Sequence, residues 1–383
     1  MNVVSVNAHR NNLRGIAILP TGAALPAFIA IVALRGLRVG LLVSAIAAWS
    51  APALARDKHV PAPPPSPAAP VPARIVIPIE RSVIPPNGLV RYWVPVTIGG
   101  IGPIRALLDT GSTGLLVLDT GLEGKSFPMV GRFDYGFDSG ENLAGTIAQA
   151  KLAIGDLRSA GPVRIGIVRR AKCLKDKPKC LAASPNLQDY TIGGDGKPGS
   201  GFKALIGIAL DHILIANPLF ALGASRWIVA LPQPGSPGPG ALIVNPNDTD
   251  LLGFRRYPIG RQAQRLHGAM RASLPGCLAA PAASFELCGQ IGLDTGAPNV
   301  YVKVATLPQI ASAPGPQRYS LGLSVGEAKL EIPVEESRAT GRLVYFERTE
   351  RLDAPVINAG VFPYFSYLVL YDFAANEIGF KQR

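Results

Sequence analysis

Two segments, one in each half of the chain, place Asp-Thr-Gly directly behind an apolar, strand-like run: Ala106-Leu107-Leu108-Asp109-Thr110-Gly111-Ser112 and Gln290-Ile291-Gly292-Leu293-Asp294-Thr295-Gly296-Ala297. One such tripeptide means little, but two in matched contexts constrain the fold. Asp supplies a carboxylate at a strand end, Gly lets the backbone turn sharply and approach its counterpart, and Thr offers a hydroxyl to lock the two turns together. Two carboxylates brought within hydrogen-bonding distance do not both ionise easily, so they share a proton and their apparent pKa values split. Such a pair can work as acid and base together, one member drawing a proton from water while the other protonates a carbonyl.

The rest of the 383 residues reads as β structure. Tyr92, Val94, Val96 and Ile98 alternate on one face, as do Ile104, Ala106 and Leu108, and later Val300, Val302 and Val304. Period two at short spacing, with Gly and Pro between the runs, argues for an all-β body. The 42 Gly and 36 Pro exclude a coiled coil and disfavour a mainly helical fold. The length allows two or three domains or one two-lobed unit. The four His (His9, His59, His212 and His267) form no zinc-type spacing with the Cys residues, so neither a metal nor a cofactor is expected. The Pro- and Gly-rich stretch 232–240 reads equally as a domain linker or as a surface loop between strands.

The first 55 residues contain no Asp, Glu or Lys, and Arg35 and Arg38 precede an apolar run that ends in Ala53-Leu54-Ala55. This reads as an export signal with a small-residue cleavage site, with a retained membrane anchor through 16–34 as the alternative. Pro occupies seven of the twelve positions 61–72, so 56–74 is expected to be an extended linker. The formal charge of the whole chain is +12, and without the four Arg of the first 55 residues it is +8; that surplus is scattered without a long basic run, as in a solvated basic surface, and no nucleic-acid partner is expected. Cys173 with Cys180, and Cys277 with Cys288, form two close pairs; in an exported chain this suggests two short-loop disulfides, although spacing alone also admits buried free thiols.

From residue 75 to the end the sequence resembles the pepsin family of aspartic proteases. Besides the two Asp-Thr-Gly segments, Tyr92-Trp93-Val94-Pro95-Val96-Thr97-Ile98-Gly99 is similar to the family's opening strand. Phe133-Asp134-Tyr135-Gly136 followed by Gly145-Thr146-Ile147-Ala148 resembles its flap hairpin, and Ala204-Leu205-Ile206-Gly207 the segment behind the first catalytic loop. Pro218-Leu219-Phe220 with Trp227-Ile228-Val229-Ala230-Leu231, and Val361-Phe362 with Leu370-Tyr371-Asp372 and Asn376-Glu377-Ile378-Gly379-Phe380, follow in the family's order. The resemblance implies a bilobal acid-protease fold of two six-stranded, barrel-like lobes, 75–224 and 225–383, with the active site between them. It implies an aspartic endopeptidase acting on extended polypeptides, with Asp109 and Asp294 catalytic. Thr110, Gly111, Ser112, Thr295 and Gly296 would support them, and Tyr135 and Gly136 would lie in the substrate-covering flap. The expected enzyme is a monomer, periplasmic or secreted, or held at the envelope by its N-terminus; the alternative is an inactive binding protein on the same fold.

The sequence departs from the family pattern at three places. Ala297-Pro298 stands where Ser112 follows the first motif, so the second Asp is expected to lack an outer hydroxyl donor. Ile357-Asn358-Ala359-Gly360 replaces two apolar residues before Gly, and the flap turn is longer than usual. Only about twenty residues separate the cleavage site from the body, too few for an inhibitory pro-segment of the family's kind. A third copy, Asp119-Thr120-Gly121, lacks the following Ser or Ala and is not expected to be a site. Gly194-Asp195-Gly196-Lys197-Pro198-Gly199 reads as a Gly-rich loop, since Pro198 denies it the helix N-terminus a phosphate site needs.

Overall fold

The computed structural model describes residues 73–85, 88–183, 186–194, 199–210, 215–259, 273–325, 328–350 and 352–383. The segment expected to be a signal or anchor, nearly all of the expected linker, His212, His267 and most of the Gly194-to-Gly199 motif lie outside the described residues. The described chain is all-β, and its longest helix, Phe362–Ser366, has five residues. No helix among the described residues is long and apolar enough to cross a membrane.

The strands form a 15-stranded sheet and a 7-stranded sheet. Ile75–Ile84 joins two parts of the larger sheet, because its first half pairs with Gly240–Val244 and its second half with Leu89–Ile98. Arg226–Ala230, Tyr367–Asp372 and Glu377–Gln382 belong to this sheet although they come from the second half of the sequence. The 232–240 stretch therefore connects two antiparallel neighbours, Arg226–Ala230 and Gly240–Val244, as a surface loop rather than a domain linker. The smaller sheet holds the seven strands from Ser273–Ala280 to Val356–Asn358.

The same strand arrangement recurs around each Asp-Thr-Gly. Ala204–Ile208 lies between Ile101–Asp109, to which it is parallel, and Thr113–Leu118, to which it is antiparallel. Val356–Asn358 likewise lies parallel to Phe285–Gly292 and antiparallel to Val300–Val304. Each inserted strand runs on to a Gly tucked behind the turn. A Cβ on Gly207 would sit 2.6 Å from the carbonyl carbon of Ser112, and one on Gly360 would sit 2.3 Å from the Asn299 carbonyl oxygen. Any larger residue would push the acidic turn forward.

Packing follows the alternation read in the sequence. Tyr92, Val94, Val96 and Ile98 are buried along one face of Leu89–Ile98, while all six residues of Thr113–Leu118 are buried because both of that strand's faces are covered. One continuous core draws on both sheets, from Ile77 and Leu108 to Leu278, Val302 and Phe380. A second cluster, including Phe133, Leu143, Ile147, Phe202 and Ile215, fills the space beneath the hairpin of Met129–Gly136 and Glu141–Ala150. Behind the first acidic turn, fully buried Asn217 caps the helix Pro218–Ala221 through its Oδ1 and donates to the Ala209 carbonyl, while the Ala209 N–H donates to the Ser112 carbonyl.

Candidate active site

Asp109 closes its strand and the backbone turns at Gly111, whose N–H donates to Asp109 Oδ1 at 2.8 Å. The Gly296 N–H does the same for Asp294 Oδ1, also at 2.8 Å. The turns face each other so closely that a Cβ on Gly111 would lie 2.6 Å from Asp294 Cγ, and one on Gly296 would lie 2.7 Å from Asp109 Cγ. Glycine is required at both positions because the opposing carboxyl occupies the space.

The two Thr side chains cross-link the turns. The Thr110 hydroxyl donates to the Leu293 carbonyl and accepts from the Thr295 N–H, and the Thr295 hydroxyl donates to the Leu108 carbonyl and accepts from the Thr110 N–H. All four groups are buried, so each bond is worth more than at the surface and each orphaned partner would be costly. Thr110 carries one further bond, at 2.7 Å to the Tyr364 hydroxyl. The Thr110 proton is already committed to Leu293, so Tyr364 must donate here, and its oxygen is then free to accept from the Tyr371 hydroxyl. Burial pushes both phenols well above their ordinary pKa, which keeps them protonated donors.

The outer carboxylate oxygens have different donors. Ser112 Oγ donates to Asp109 Oδ2 at 2.6 Å. Ala297 offers no hydroxyl to Asp294, and the outer oxygen is met instead from another strand: Asn358 Nδ2 donates to Asp294 Oδ2 at 2.6 Å. The orientation of this amide is determined by its other end, because Asn358 Oδ1 accepts from the Gly360 N–H. The unusual polar residue in the inserted strand therefore supplies the missing bond. Burial, and then the Asp109 carboxylate, push the Asp294 carboxyl well above the usual range, while Asn358 and the Gly296 N–H pull it down.

Both carboxyls open into a cavity of about 340 Å³. Phe137, Asp138 and Ser139 of the hairpin tip line it together with Tyr301, Lys303 and Glu347. Tyr135 and Gly136 do not line the cavity: Tyr135 packs on Phe137 with ring centroids 4.7 Å apart, and Gly136 lies against Leu174. The longer turn carries Phe137, two residues beyond Tyr135, to the cavity wall. Two ion pairs hold the tip in place, Lys303 to Asp138 at 2.7 Å and Lys177 to Glu347 at 2.8 Å, and Lys177 also donates to the Asp138 carbonyl.

The Cys173–Cys180 disulfide closes the loop that bears Lys177, and the Cys277–Cys288 disulfide joins neighbouring strands of the smaller sheet. Glu286 lies beside the second pair, but the two sulfurs are bonded to each other and offer no thiolate to a metal. Asp119 stands in a surface turn paired with Arg169 at 3.4 Å, and Thr120 accepts from Lys203; the third Asp-Thr-Gly is not part of the cavity lining. Sequence reasoning passed over Arg91, which is 8 % exposed, lines the cavity and donates to the Gly296 carbonyl at 2.6 Å. A cation within an otherwise apolar strand was the available signal. Neither a protein-family model nor a curated protein matches this chain.

Proposed function

We propose that the chain is an exported aspartic endopeptidase of the two-lobed acid-protease type, acting on extended polypeptides. The observation that carries this reading is the locked pair of acidic turns, each with a backbone N–H on the inner carboxylate oxygen and a side-chain donor on the outer one. A pair built only to hold the fold would gain nothing from opposing two buried carboxyls, which repel unless one is protonated. The repeated strand arrangement around the two turns supports a two-lobed body, and two disulfides suit an oxidising compartment.

In this mechanism Asp109 is the base and Asp294 the acid. Water gives a proton to Asp109 as its oxygen attacks the peptide carbonyl carbon, and Asp294 passes its proton to the carbonyl oxygen. The resulting geminal diol collapses: the C–N bond breaks, the amine leaves with the proton from Asp109, and a diol hydroxyl returns a proton to Asp294. Both carboxyls are then as they began. Phe137 and its neighbours at the hairpin tip line the cavity and would cover a polypeptide bound there.

The test is digestion of a denatured protein mixture between about pH 3 and 7, the range in which a shared-proton pair is singly ionised. The expected result is cleavage that a pepstatin-type inhibitor blocks and that Asp109→Asn and Asp294→Asn each abolish with the fold retained, while Asp119→Asn keeps most activity. Absence of cleavage throughout this range would overturn the reading in favour of a binding protein.

A further inference from the structure

Among the charged groups around the cavity, Arg91 stands apart. Lys303 is neutralised by Asp138, and Glu347 by Lys177. Among the described residues Arg91 has no ion-pair partner, and one of its five N–H donors, on Nη1, is bonded, to the Gly296 carbonyl. Its Nε is fully buried without a hydrogen-bond partner. A desolvated guanidinium left this incomplete is costly unless something meets it, and its planar fork matches a carboxylate, the anionic group that a polypeptide carries. The buried Glu141 carboxylate and the dyad both act on it through their charge, but the hydrogen bonds of Glu141 come from Ser139 and Tyr190 and those of the dyad from other donors.

We infer that Arg91 selects for substrate, receiving a carboxylate of the bound polypeptide beside the scissile bond. This rests on the peptidase reading for the word substrate, but the recognition itself depends only on the cavity. Two sources of carboxylate fit, an Asp or Glu side chain or a free C-terminus. Their shared chemistry is a planar anion that accepts two parallel N–H bonds.

The experiment measures binding by fluorescence polarisation, separately from cleavage. Peptides with amidated C-termini carry Glu at a single position or Gln in its place, and a second set compares free with amidated C-termini. Wild-type protein is expected to bind one carboxylate-bearing set at least about tenfold more tightly than its neutral match, as for a hydrogen bond to a charged group. Arg91→Gln should abolish that discrimination. Arg91→Lys, which keeps the charge but loses the fork, should retain only part of it. Which set discriminates identifies the source of the carboxylate. Equal affinity for acid and neutral peptides in the wild type, or discrimination that survives Arg91→Gln undiminished, overturns the inference, as does an equal loss of affinity for both members of each pair. Peptides cut without acid preference would defeat this inference and leave the peptidase reading standing. Peptides that discriminate but are never cut would do the reverse.

Discussion

The Asn358 side-chain amide donates to Asp294 Oδ2 over 2.6 Å, the distance at which the Ser112 hydroxyl donates to Asp109 Oδ2. The two acidic turns are thus matched in bonding although the donors come from different places. Ser112 stands three residues after its Asp, whereas Asn358 arrives on a strand 64 residues away. Each carboxylate holds a donor on both oxygens, so neither can rotate away from the other.

A donor to a carboxylate favours its ionised form, so Asn358 lowers the affinity of Asp294 for the shared proton. Asn358→Leu should therefore raise the dyad's upper apparent pKa and move the alkaline limb of the kcat/KM profile to higher pH. A charge-assisted bond of about 1.5 to 3 kcal/mol corresponds to a shift of about one to two units. Adding Ala297→Ser to that variant supplies a hydroxyl at the position matching Ser112 and should pull the limb part of the way back. A limb that moves to lower pH in Asn358→Leu would contradict the assignment.

Stability should also depend on Asp294. Its folded pKa lies above the ordinary carboxylate value, so the native state binds the proton more tightly than the unfolded chain. The contribution is present at acid pH and is lost as pH rises from the ordinary carboxylate range through the raised value, at about 1.4 kcal/mol per unit of elevation. In Asp294→Asn this component disappears, and stability should fall less steeply between about pH 4 and 7. Denaturant unfolding at several pH values measures the slope.

The Thr cross-link is asymmetric in the same sense. The Thr110 hydroxyl has three bonding partners, Leu293, Thr295 and Tyr364, whereas the Thr295 hydroxyl has two. Thr110→Val should cost about 2 to 4 kcal/mol by orphaning buried groups, and Thr295→Val about 1 kcal/mol less. Equilibrium unfolding of both variants checks the order, and equal losses would show that the Tyr364 bond contributes nothing.

The hairpin tip and the Cys173–Cys180 loop form one assembly, through the Leu174 N–H to the Gly140 carbonyl and through Lys177 to Asp138 and Glu347. Loops as short as those closed by the two disulfides contribute about 2 to 3 kcal/mol each. Replacing Cys173 and Cys180 by Ser should raise KM for peptides more than replacing Cys277 and Cys288, because only the first pair steadies the hairpin tip. Non-reducing peptide mapping verifies the two bridges, and steady-state kinetics of the double variants gives the comparison.

Local chemistry could be read directly from the chain. Alternation of apolar residues marks Leu89–Ile98 and Val300–Val304 as strands, since side chains on a pleated backbone alternate faces whatever lies beyond them. The two Asp-Thr-Gly segments stand out because each packs a carboxylate, a hydroxyl and a glycine into consecutive positions. The Cys pairs, seven and eleven residues apart, are close enough in sequence for local hairpins to bring them together. In the flap the local pattern misled: Tyr135 precedes Gly, as expected of a residue over the cleft, but the long turn presents Phe137 instead.

The amino-acid sequence by itself determined the β class and the acidic turns and suggested the two cysteine pairs, all of which depend on neighbours within about a dozen residues; the bonded sulfurs are seen in the tertiary structure. The partners of Asn358 and Arg91 were decided only by tertiary structure. Asn358 in isolation looks like a flaw in an apolar strand. It becomes a donor to Asp294 because Val356–Asn358 pairs in parallel with Phe285–Gly292 and brings an amide beside a carboxylate from a distant turn. Arg91 meets Gly296 across 205 residues for the same kind of reason. What a polar side chain does once buried is set by which group the folded chain places within hydrogen-bonding reach, and strand pairing over long separations decides that.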